Sequence, residues 1–185
     1  HMSVSNPKGF HWRRRVEFAE TDMAGIAHFS SFVIYMEQAE HALLRSLGTS
    51  VFGARLPAEG ASSDLSSGLH SSSSVEQSVL EDASLTRRPI ANHAATLTWP
   101  RVHCECDYLA PARFEEELDI IVSVARLGEK SVTYLHRMFV GEREIATGKI
   151  VAVCSLVNPE SGMLTGIRIP EHLRKLLSEY VTEPK

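Results

Sequence analysis

The sequence predicts an α+β fold in which one curved antiparallel sheet wraps a single long helix. Three observations point there. A period-two segment near the N-terminus gives way to a stretch with helical periodicity. The second half of the chain holds several further period-two segments. The links between the later segments are short enough to require hairpins.

The first predicted strand runs from about Phe10 to Ala19, where Trp12, Arg14, Val16 and Phe18 alternate with Arg13, Arg15, Glu17 and Ala19. From about Ser30 to Leu47 the period lengthens. Phe32, Tyr35, Met36, Ala39, Leu43 and Leu47 share one helical stripe, while Gln38, His41 and Arg45 fall off it. Ser30 or Ser31 is the expected cap, and Gly48 the expected stop. Between Ser62 and Ser84, 10 of 23 residues are serine, a composition that buries little apolar surface. Residues 54–95 therefore read as an insertion expected to move freely, within a single domain spanning 1–185. Thr96 to Tyr108 reads as one strand, interrupted by Pro100 and so expected at or near a sheet edge. A strand around Leu118 to Val124, another from Ser131 to Val140 and a third from Glu144 to Val157 follow, joined by LGEK and Gly141-Glu142-Arg143. The last is apolar on both faces, as a central strand is. A closing helix is expected over Pro170 to Tyr180, opened by its proline. A lone sheet around one helix leaves edges uncovered, which predicts self-association as a homodimer or homotetramer.

Composition narrows the function. The chain has 185 residues, 43% hydrophobic and 23% charged, enough for a core of its own. A net charge of -4 gives no basic footprint, so nucleic acid is not an expected partner. No apolar run approaches the roughly 20 residues that span a bilayer, and the N-terminus shows no signal-peptide core, so no membrane contact is expected. Three cysteines cannot all pair; Cys104 and Cys106 read as buried thiols, not metal ligands, and a reducing cytoplasm fits.

The turn after the first strand is the candidate site. Glu20, Thr21 and Asp22 leave the strand, and Gly25 permits a tight backbone before the helix begins. A helix head carries unpaired N–H groups and a partial positive charge, where a developing oxyanion is stabilised. A carboxylate on the same turn either activates water, attacks a carbonyl, or merely orders the turn; spacing leaves all three open.

The pattern F-x-x-T-D-x-A-G-I-x-H-x-x-x-F-x-x-Y-x-E-x-A-E, Phe18 to Glu40, resembles the signature of the hotdog-fold acyl-CoA thioesterases of the 4-hydroxybenzoyl-CoA thioesterase type. CDYLAPARFEEELDIIVSVARLGEKSVTYLHRMF is similar to the second half of that family. The resemblance implies a hotdog fold, metal-free hydrolysis of an acyl-CoA thioester with no cofactor beyond the substrate's own coenzyme A, and an active site at a dimer interface. It places the catalytic carboxylate on Asp22 and the carbonyl-polarising amide on Phe29, with Glu20 where relatives usually carry Asp. His28 stands one position before a histidine of some relatives, and Phe18 where many have tyrosine; His28 then either takes a polar role or lines a wall. Glu37, kept as an acid in the family, is expected as a buried paired charge that shapes the pocket. For coenzyme A the resemblance points to Arg126, Lys130 and Ser131, with Arg113 as a further cation. An acyl-carrier-protein thioesterase and a non-catalytic acyl-CoA-binding protein are the alternatives.

Overall fold

The structure, a computed structural model, describes residues 8–51 and 96–182. The expected 54–95 insertion lies wholly outside the described residues. Ten regular elements and one 3-10 turn build the fold. They are β1 (Phe10–Arg15), the 3-10 turn Phe18–Glu20, α1 (Phe29–Ser46), β2 (Thr96–Thr98), β3 (Arg101–Tyr108), β4 (Glu117–Leu127), β5 (Ser131–Val140), β6 (Arg143–Val153), β7 (Ser155–Val157), β8 (Leu164–Gly166) and α2 (Glu171–Ser178).

Five strands form the main antiparallel sheet in the order β1-β4-β5-β6-β3, and β2-β7-β8 form a small second one. The expected architecture is present: one sheet packed on one long helix, α+β, the hotdog arrangement. Three expected strands are shorter than the sequence suggested. β1 stops at Arg15, because Glu17 and Glu20 close a reciprocal capping box that folds Phe18–Glu20 into a 3-10 turn. The run Thr96 to Tyr108 splits at Trp99-Pro100 into β2 and β3, which belong to different sheets. The last long strand likewise divides at Cys154 into β6 and β7.

Helix α1 is where the core sits. Phe32, Tyr35, Met36, Ala39 and Leu43 are all buried, as their spacing requires. They meet the inward residues of the sheet, among them Leu118, Ile120, Val122, Tyr134, Met138, Ala146 and Ile150. The helix ends in a Schellman motif: Thr49 N–H donates to Leu44 O at 3.0 Å and Gly48 N–H to Arg45 O at 3.0 Å. β6 approaches the helix closely at Gly148, where a Cβ would lie 2.1 Å from Met36 Sδ. The absent side chain there is what lets helix and sheet meet.

β3 is an edge strand with one neighbour, β6. Along it Cys104 is exposed, which corrects the buried thiol expected there; Cys106 is half-buried and Cys154 buried. Among the described residues no strand lies beyond β3 to cover that side chain. No helix among the described residues is long and apolar enough to cross a membrane.

Candidate active site at the head of the central helix

The turn between the 3-10 segment and α1 is anchored at both ends by Glu20. Its carboxylate accepts from Arg14, from Tyr35 Oη at 3.0 Å and from the Glu17 amide at 2.8 Å. Its carbonyl accepts from His28 N–H at 2.8 Å and from Ser31 Oγ at 3.1 Å. Arg14 also donates to Gln38 and lies over the Tyr35 ring, 4.2 Å from the centroid. Burial, then the neighbouring Glu20 carboxylate, hold the Tyr35 phenol well above its ordinary range, so it stays a donor. Sequence reasoning left Arg14, Tyr35 and Gln38 unassigned. The signal was present: Arg14 alternates in phase with Trp12 and Val16, and an inward cation needs a partner.

Asp22 sits at the tip of this anchored turn. Its Oδ1 accepts the Ala24 amide at 2.8 Å, its own amide donates to Ile26 O at 2.9 Å, and its carbonyl accepts the Gly25 amide at 3.0 Å. Gly25 takes a φ of 71°, a left-handed conformation, with open space around its Cα. The return leg, Ile26 and Ala27, is stitched to the Ala-Pro-Ala-Arg segment by a bridge from Ile26 to Arg113 and by Ala27 N–H to Ala112 O at 2.7 Å. The Asp22 side chain is exposed.

Helix α1 begins one residue earlier than expected, and its cap is His28, not Ser30 or Ser31. His28 Nδ1 accepts the Ser30 amide at 3.4 Å and lies 2.8 Å from Ser30 Oγ, while the Ser31 amide donates to His28 O at 2.9 Å. The Phe29 amide is then the first of the helix, with no carbonyl of a preceding turn to receive it. Phe29 is 64% exposed, and its carbonyl accepts from Tyr108 Oη at 3.0 Å, which ties the helix head to the end of the edge strand. Asp22, Gly25, His28 and Phe29 thus share one turn and one helix head.

Other expected site residues lie elsewhere. Glu37 is not a buried charge: its side chain is 49% exposed, with His41 Nε2 at 3.9 Å and the Arg101 guanidinium at 4.0 Å. The buried acid of the helix is Glu40, 1% exposed, one turn further on. Its position beside Met36 and Leu43 turns it toward the sheet, where Arg101 Nη2 donates to Oε2 at 3.0 Å. Glu40 sits within the i, i+3, i+4 pattern of that stripe, so the sequence carried the signal. Arg126, Lys130 and Ser131 cluster at the β4–β5 hairpin, where Lys130 Nζ donates to Gly166 O at 3.3 Å. β4 starts near the Asp22 turn and ends at that hairpin, so the two lie roughly 30 Å apart in one subunit, at about 3.4 Å per residue. Arg113, on the Ala-Pro-Ala-Arg segment, is beside the turn. Among the described residues no group of three or more His, Cys, Asp or Glu side chains stands together to hold a metal ion.

The model of the thioesterase-like superfamily matches residues 16–175, which takes in the Asp22 turn, α1 and every strand of the main sheet except β1. The chain belongs to that superfamily. A 1,4-dihydroxy-2-naphthoyl-CoA thioesterase from Synechocystis superposes with a TM-score of 0.62 at 16% identity, over 91% of this chain and 95% of that one. A gentisyl-coenzyme A thioesterase superposes with a TM-score of 0.60 at 21% identity, over 91% and 99%. The dynemicin thioesterase gives 0.64 at 16% identity, over 94% and 98%. These likenesses establish the shared fold. In sequence, a protein of Aquifex aeolicus strain VF5 provisionally named an esterase is 51% identical over 39 residues, 21% of this chain; the match spans 30% of that relative's length.

Proposed function

We propose that the protein is an acyl-CoA thioesterase whose catalytic carboxylate is Asp22. One observation carries this reading: an exposed carboxylate, its orientation set by an Asx turn, stands on the same anchored loop as a helix head whose first amide, that of Phe29, is free of the helix ladder. The superfamily and the acyl-CoA thioesters named for two of the structural neighbours support it.

In this reading the thioester carbonyl oxygen receives the Phe29 N–H, and the helix dipole adds to that field. Asp22 takes the proton of an attacking water, the tetrahedral intermediate collapses, and the C–S bond breaks to release coenzyme A thiolate and the free acid. In the alternative course Asp22 attacks directly, releasing the thiolate and leaving a mixed anhydride that water then opens. Thiolate is a good leaving group, so neither course needs a strong general acid. His28 acts by capping the helix and so fixing the Phe29 amide. No metal and no further cofactor enters either course.

The proposal includes a second copy of the chain. Among the described residues β3 offers an unpaired edge, with Val102 63% exposed. Pairing two β3 edges antiparallel about a two-fold axis turns the second sheet end for end. The partner subunit's Lys130 and Ser131 then lie at the Asp22 end of this subunit, three strands in from the shared edge. That arrangement reunites the cations for the coenzyme A phosphates with a carboxylate they cannot reach within one chain. Arg113 and Arg126 are the further cations, and Glu37 faces the boundary with Arg101.

A panel of CoA and carrier-protein thioesters with thiol detection tests the reading. Turnover on CoA esters is expected. A rate advantage for carrier-protein esters moves the substrate to that class, and tight acyl-CoA binding without thiol release overturns hydrolysis altogether.

A further inference from the structure

Beneath the far half of α1 lies a polar cluster that the proposed hydrolysis does not use. Glu40 points from the helix into the sheet, 1% exposed, and His136 of β5 meets it there, equally buried. Glu40 Oε2 accepts from Arg101 at the start of β3, while Oε1 stands 3.4 Å from His136 Nε2. Among the described residues, Glu40 Oε1 and the two ring nitrogens of His136 make no hydrogen bond of good geometry, the ring having the Gly148 and Met36 backbone as its polar neighbours. Such atoms in one dry place are costly unless something joins them.

We propose that Glu40 and His136 form a buried acid–imidazole pair holding one proton on the carboxyl, and that loss of this proton hands Glu40 over to Arg101, so that pH sets the grip of the central helix on the edge strand β3. A proton on Oε1 directed at Nε2 satisfies both facing atoms at once, and 3.4 Å closes to a hydrogen bond with a small side-chain rotation. The other assignment, carboxylate beside imidazolium, puts two ions in the interior and a second cation next to Arg101.

The surroundings favour the neutral form. Burial pushes the Glu40 carboxyl up to about 7, against the pull of Arg101. Burial pushes His136 down to about 4, with the backbone of Gly148 and Met36 acting the other way and Arg101 adding to the depression. From the helix itself, Glu37 raises Glu40 further, and His41, 3.3 Å from Arg101, is held low by burial and then by that guanidinium. From the strands, the Tyr134 phenol and the Cys104 thiol are both raised, first by burial and next by Glu40. Arg101 has a second acid within reach, Glu37 at 4.0 Å, so it keeps a counter-charge when Glu40 is neutral.

Proton counting gives the pH signature. Between about 4.5 and 6.5 the unfolded pair carries one proton, on histidine, and the folded pair carries one, on Glu40. Stability is therefore level across that window as far as this pair is concerned. Above it the unfolded pair is empty while the folded pair keeps its proton to about 7, so stability falls as pH rises through that value.

Infrared difference spectroscopy of the resting protein, with 13C-glutamate labelling, reads the carboxyl directly and involves no substrate. A protonated-carboxyl band that shifts with the label, disappears as pH rises through about 7 and is missing in Glu40→Gln is the expected result. Absence of that band at pH 6 overturns the proposal. Should the variant fail to fold, 15N NMR of His136 in the wild-type chain decides: a neutral ring at pH 5.5 supports the pair, and an imidazolium overturns it. The Arg101 side-chain resonance is expected to move with the same midpoint, and a resonance that does not move overturns the handover.

Discussion

Asp22 depends on a small number of contacts that place its carboxylate, and those contacts are separable. Gly25 occupies the left-handed region with space around it, so the strain of a side chain there is conformational and not steric. Gly25→Ala is expected to destabilise by about 1–2 kcal/mol in denaturant unfolding, the usual cost of that region for an L-residue. Tyr35→Phe removes the phenol donor from Glu20 while leaving the ring under Arg14. It is expected to cost about 1 kcal/mol of stability, the scale of one buried hydrogen bond. A lowered kcat with unchanged substrate affinity in that variant would report a displaced turn. His28 shows where residue types mislead. Serines are the commoner caps, and two lie near the helix start, but His28 Nδ1 reaches the Ser30 amide from two positions earlier and takes the cap.

At the scale of elements, the periodicities carried most of the fold. The α1 stripe was legible because five of its six apolar positions are buried, and only Leu47, the residue that caps the helix C-terminus, is partly exposed. The β4–β5 and β5–β6 pairings were legible from their hairpin links, while the pairings of β3 with β6 and of β1 with β4 join strands distant in sequence and were not. What the sequence hid were boundaries set by side-chain capping and by packing. The Glu17–Glu20 capping box that ends β1 lies inside an alternating pattern, and the change of sheet at Trp99-Pro100 needs tertiary contacts to see. Glu40 differs: it lies on the stripe between Met36 and Leu43, so its burial in place of Glu37 was legible from spacing. The Asp22 turn was found through its resemblance to a family, since spacing alone left a structural acid equally open. The helix–sheet contact makes a direct prediction. Gly148→Ala drives a methyl into Met36 Sδ and is expected to lower stability by about 1–3 kcal/mol, the range for overpacking. Leu43→Ala, in a fully buried position, is expected to cost about 2–5 kcal/mol. Both follow from thermal or denaturant unfolding.

For the whole molecule, the proposed second copy brings a Lys130 hairpin to the Asp22 turn, from which it is separated by roughly 30 Å within one chain at about 3.4 Å per strand residue. Val102→Lys places a charge on the free edge of β3, a natural block to strand pairing. Sedimentation is expected to show the mass of a single chain for this variant, with thiol release lost alongside. An assembly that persists together with full activity would place the interface on another surface. The proposed hydrolysis depends on the Asp22 carboxylate acting at the thioester carbon. Single-turnover thiol release by Asp22→Asn, at an acyl-CoA concentration where binding is shown to be complete, measures this most directly. A fall of about a hundredfold or more is predicted, the least that loss of a general base or nucleophile produces. A rate within a few-fold of wild type, with substrate bound, would contradict it.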